Sequence, residues 1–182
     1  LWYIFGAQSN LNDFSRLQNT VKFARANGSL QEIFPYAEPN FTTFSIDATA
    51  LKQLEAYDPL QAQFSTLSVN GNYSAVLNQR IGRVNTQNPL WFFMDDNGKK
   101  LAFLIGEGLW KWKLEEAKSE QSLPLVDDFI NKTVQYLAVK DDKRKFKVYA
   151  SKTTYDENEN IVLNATLYND AYEPVNSPEV KL

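Results

Sequence analysis

Residues 89–117 read PLWFFMDDNGKKLAFLIGEGLWKWKLEEA, and how this stretch is read decides the fold class. Two apolar runs, PLWFFM and KKLAFLIG, flank Asp95-Asp96-Asn97-Gly98. Asn-Gly between apolar runs predicts a tight hairpin, because both central residues of such a turn need positive φ. The second run ends in Gly106-Glu107-Gly108 and passes into Leu109-Trp110-Lys111-Trp112. Glycines on both sides of one carboxylate permit a sharp strand-to-helix turn, and Glu107 is expected to meet the positive end of the following helix. Turns of this kind are where open α/β sheets expose functional side chains. On a helix Trp110 and Trp112 diverge by about 200°, so one is expected to pack inward and the other to keep part of its ring in solvent. An exposed aromatic on an acidic surface marks a contact site. Glu107, Trp110 and Trp112 therefore form the expected recognition surface, with Gly106 and Gly108 shaping its turn.

Working outward, residues 73–105 alternate as sheet, and LWYIFG at residues 1–6 reads as a short buried strand ending at a glycine. Ser9 and Asn10 are cap-type residues before Leu11, Phe14 and Leu17, which share one face of a short helix. Residues 19–45 are expected to be irregular or short strands. Asp47 caps a second helix that buries Leu51 and Leu54 and stops near Pro59. The strongest helix spans SLPLVDDFINKTVQYLAV, with Ser122 as cap and Pro124 in the first turn. Its apolar face would be Val126, Phe129, Ile130, Thr133, Val134 and Leu137. A charged connector, KDDKRKFK, follows, and then KFKVYA and IVLNATLYND read as strands separated by DENEN. AYEPVNSPEVKL adds the start of a further strand. These patterns place an α/β domain over residues 1–140 and the opening of a β module over 145–182.

Composition narrows the function. The chain has 182 residues, a net charge of −3, 43% hydrophobic residues, and neither cysteine nor histidine. Thiol nucleophiles, Ser-His relays and the usual Cys/His zinc sites are therefore excluded within these residues. The acidic balance gives no field for nucleic acid, and KDDKRKFK reads as a solvated hinge. The pairs Asp95-Asp96, Glu115-Glu116 and Asp127-Asp128 fall on a turn or on helix surfaces, with no partner at a defined separation for acid/base work. DENEN lacks the register of a calcium loop and reads as a turn. No cofactor and no metal is expected.

Four segments carry a resemblance: WYIFGAQSNL, QRIGRVNTQNPLWFF, GKKLAFLIGEGLWKWKL, and the run from VQYLAVKDDKRKF to YDENENIVLNATLYNDAYEPVNSPEV. Over essentially its whole length the chain resembles a family of large, uncharacterised proteins of Bacteroidetes. These are labelled von Willebrand factor A domain-containing or glutamine-amidotransferase-like and membrane-associated. The resemblance implies the C-terminal part of a class I glutamine-amidotransferase-like, flavodoxin-like α/β domain, followed by the first strands of an immunoglobulin-like β domain. It implies a piece of a longer protein that begins midway through the α/β domain, set in the cell envelope, periplasmic, with membrane helices outside these residues. Active amidotransferases carry Gly-x-Cys-x-Gly-x-Gln on a sharp turn and His-x-Glu after a late strand. Here Gly6 and Gln8 match the end of the first pattern, Phe5 or its neighbour takes the nucleophile's place, and Gly106-Glu107-Gly108 takes the place of the second. Nucleophile and base are both missing. The expected function is a non-catalytic binding or structural domain whose partner is an unknown protein or envelope component. The alternative is a hydrolase of another class that uses carboxylates such as Glu107.

Overall fold

A computed structural model describes residues 1–118, 124–139 and 146–168. The chain divides into two units, 1–140 and 141–182. The first holds eight strands and four helices among its described residues: β1 (Trp2–Phe5), α1 (Leu11–Leu17), β2 (Val21–Ala24), β3 (Leu30–Ala37), α2 (Ala48–Leu54), β4 (Leu60–Gln63), β5 (Thr66–Val69), β6 (Tyr73–Ile81), β7 (Val84–Asp96), β8 (Lys99–Ile105), α3 (Leu109–Lys118) and α4 (Leu125–Ala138). It is a mixed α/β structure made mostly of strands.

The predicted hairpin organises it. Asn97 (φ 55°) and Gly98 (φ 83°) form the two-residue loop between β7 and β8, and Asp95 Oδ1 accepts the Gly98 N–H at 2.6 Å. From this hairpin the main sheet runs β1-β8-β7-β6-β3-β4. Every pair in it is antiparallel except β1 with β8, which is parallel. A flavodoxin-like core is parallel, so the strand directions depart from that expectation. Beyond Gly106 the chain meets the far edge strand: Gln61 and Glu107 exchange both backbone hydrogen bonds, at 2.9 and 2.8 Å. The sheet thereby nearly closes on itself as a barrel. A separate ribbon pairs β2 with β5.

Leu90 to Met94 of β7 are all buried, as a strand covered on both faces must be. Alternation assigns the faces. Trp91 and Phe93 lie under α4, against Phe129 at 5.7 Å and Tyr136 at 5.0 Å between ring centroids. Phe92 instead stacks on Phe103 at 4.8 Å. Pro89, in mid-strand and without an N–H, faces Asn78 where the β6–β7 register slips, and the Gln79 amide donates to the Pro89 carbonyl at 2.9 Å.

The helices follow their caps. Asn10 accepts from the Asp13 N–H and starts α1, while Asp47 accepts from Thr49 and Ala50 and starts α2. Several expected core positions differ. Leu17 at the end of α1 and Val134 on α4 are exposed, as is Ile4, because β1 pairs on only one side and is half-buried. The strands β4 and β5 lie where local pattern predicts none. Ser122, the charged connector up to Lys145, and the tail AYEPVNSPEVKL lie outside the described residues. In the second unit, β9 (Phe146–Ala150) and β10 (Leu163–Leu167) form an antiparallel hairpin. Within its loop DENEN makes a turn, with Glu159 paired to Lys152.

Candidate functional site

The two glycine turns, a hundred residues apart, meet. Past β1 the chain reverses at residues 6–9: the Gly6 N–H donates to Ser9 Oγ at 2.9 Å and the Ser9 N–H to the Gly6 carbonyl at 3.1 Å. Past β8 the Gly106 N–H donates to the Phe5 carbonyl at 2.7 Å, the last rung of the parallel pair. Gly106 and Gly108 sit at φ 124° and 119°, where only glycine is at ease. Space is tight at 106 as well, since a Cβ there would lie 3.1 Å from Leu60 Cβ and 3.2 Å from the Gln61 carbonyl.

That turn aims the Glu107 side chain back at β1. Oε2 accepts the Ala7 N–H at 3.1 Å and lies where a Cβ on Gly6 would be, 2.1 Å from its ideal position. From β4, the Gln63 amide donates to the Ala7 and Ser9 carbonyls at 3.0 and 2.6 Å. The tips of β1, β4 and β8 are thus tied together through one carboxylate and one amide. Gln8 is exposed and takes part in none of these bonds. The expected role of Glu107 at the start of α3 gives way to a different one. Its carboxylate bonds the N–H of Ala7, because the left-handed glycines point it across the sheet end.

The tryptophans diverge as helical spacing requires. Trp110 is 63% exposed, with Lys111 Nζ 5.9 Å from its ring centroid. It borders an open groove of about 340 Å³ with Glu32, Asp58, Pro59 and Leu114. Trp112 is 1% exposed, and its indole N–H donates to the Asp58 carbonyl at 2.6 Å. Trp112 therefore belongs to the core and not to a recognition surface. That leaves Trp110 and Glu107 as the exposed members of the expected set.

The other carboxylates have structural duties. Glu116, 8% exposed, accepts the Val126 N–H at 2.8 Å and the Tyr57 hydroxyl at 3.3 Å, joining α3 to the first turn of α4. Burial, reinforced by the Glu116 charge, pushes the Tyr57 phenol up to about 12. Asp127 pairs with Lys113, and Asp128 with Lys132 at 2.7 Å. Among the described residues no three acidic side chains gather to hold a metal ion. At the Glu107 junction the donors are backbone N–H groups and an amide, and the one hydroxyl, Ser9 Oγ, already accepts from Gly6. Such an arrangement holds two turns together. Neither family models, curated proteins nor solved structures give a match to this chain.

Proposed function

We propose that this chain is a non-catalytic binding or structural module, a degenerate glutamine-amidotransferase-like domain followed by the first strands of an immunoglobulin-like one. The observation that carries the proposal is the meeting of Ala7 and Glu107. The two turns that the resemblance matches to nucleophile and base are in contact, yet each is occupied by structural bonds. Phe5 is buried in an aromatic cluster with Phe14 and Phe23, and Ile4 is an aliphatic strand residue, so neither serves as a nucleophile. Glu107 fixes the tip of β1. The antiparallel strands depart from a flavodoxin-like core, and the parallel β1–β8 pair is what supports the amidotransferase-like reading. A cell-envelope, periplasmic setting rests on the resemblance alone. Trp110 and its groove are the surface on which a protein or envelope component would dock.

Incubation of the purified chain with glutamine and with p-nitrophenyl acetate tests this reading. Ammonia and nitrophenol release should equal that of a heat-killed control, since loss of nucleophile or base costs several orders of magnitude. Release that disappears in Glu107→Gln would instead establish a carboxylate hydrolase.

A further inference from the structure

A cavity of about 520 Å³ in the first unit involves none of the Glu107 junction. It lies between the segment after β3 and the strands β6 and β7, and Glu38, Asn40, Thr42, Tyr73, Asn78 and Gln87 line it. We propose that this cavity is a binding site for a neutral carbohydrate.

Its lining has the chemistry that hydroxyl-bearing ligands require. Amides, hydroxyls and a single carboxylate supply donors and acceptors, and no lysine or arginine lines the cavity to hold a phosphate or carboxylate. One carboxylate is too few for a divalent cation. Nor is Glu38 a bare charge awaiting an amine. Its Oε2 accepts the Asn78 amide at 2.7 Å, and its Oε1 accepts the Asn40 N–H and side-chain amide at 3.2 Å each. Asn78 is 6% exposed, so this pair is built into the wall and orients the carboxylate for further donors. Tyr73 completes the site. It is 42% exposed and held edge-on to Phe92 at 5.6 Å, a fixed ring against which the apolar face of a pyranose can stack.

The cavity is formed in advance. The Glu38 N–H donates to the Val76 carbonyl at 3.2 Å, and Thr43 Oγ1 to Ser74 Oγ at 2.7 Å. Phe41 and Phe44 anchor the same segment on Phe93, at 5.9 and 5.3 Å. Ordering this wall therefore costs a ligand little, and the volume falls within the range of small-ligand sites, about 300–1,000 Å³.

Titration of the full, isotope-labelled chain with maltotriose, cellotriose and chitotriose, read by amide chemical shifts, tests the proposal. At least one saccharide should give saturable shifts confined to residues 38–43, 73–78 and the neighbourhood of Gln87. Tyr73→Ala and Gln87→Ala, both on exposed side chains, should each weaken that binding about tenfold or more while leaving shifts elsewhere unchanged. Tetraglycine, which has hydrogen-bonding groups but no sugar face, should give no saturation. Absence of saturable shifts with all three saccharides would overturn the proposal. So would shifts that persist unweakened in both variants, or equal binding of tetraglycine.

Discussion

Gly106 shows how a single residue sets the site. Its backbone lies in the left-handed region and its missing side chain makes room for Leu60 and the Gln61 carbonyl, so alanine there meets both strain and crowding. Gly106→Ala is expected to destabilise the first unit by about 2–4 kcal/mol in chemical denaturation. Gly82 is the control: it also has positive φ, 59°, but a Cβ added there would have nothing within 4 Å. Gly82→Ala should cost only the backbone part, about 1–2 kcal/mol. Equal losses at the two positions would mean that close packing against β4 is not what requires Gly106. The tryptophans make the same point in a helix. Trp112→Ala removes a fully buried indole and should cost about 3–5 kcal/mol, whereas Trp110→Ala should stay within about 0.5 kcal/mol of wild type.

Among the elements, α3 and α4 are joined by Glu116 and Tyr57, and this joint carries a pH signature. The phenol titrates near 10 when unfolded and near 12 in the fold. The native state therefore keeps a proton that the unfolded state loses. The contribution is fully present below pH 10 and falls away as pH rises towards 12. Comparing melting temperatures at about pH 9 and about pH 11, wild type should lose more than Tyr57→Phe; equal losses would refute the coupling. The elements also show what is legible in sequence and what is not. The β7–β8 hairpin, the Asp47 and Asn10 caps and the opposite fates of Trp110 and Trp112 follow from local chemistry, and the structure has each of them. Leu17, Val134 and Ile4 differ because periodicity marks an apolar face without saying whether another element covers it. LQAQ and TLSV, which become β4 and β5, are too short and too polar to announce themselves, and only their distant partners make them strands.

At the scale of the molecule, closure of the sheet depends on contacts no local pattern encodes. Each glycine turn is legible alone, but Ala7 and Glu107 are brought together only because β1 pairs with β8 in parallel while β4 reaches Glu107 from the far edge. No described helix is long and apolar enough to cross a membrane. The central claim is that Glu107 holds the turns of β1 and β8 together and does no chemistry. A double-mutant cycle on Gly6 and Glu107, read by denaturant unfolding together with hydrolysis of glutamine and p-nitrophenyl acetate, tests it most directly. Gly6 has no positive φ, and the three atoms nearest a Cβ at that position all belong to Glu107, with Oε2 the closest at 2.1 Å. Gly6→Ala alone should cost about 1–2 kcal/mol by driving the carboxylate off the Ala7 N–H. In the Glu107→Ala background it should cost nearly nothing, a coupling of about 1 kcal/mol or more, with no hydrolysis by any of the four proteins. Additivity within about 0.5 kcal/mol, together with a hydrolytic activity that Glu107→Ala abolishes, would contradict the account.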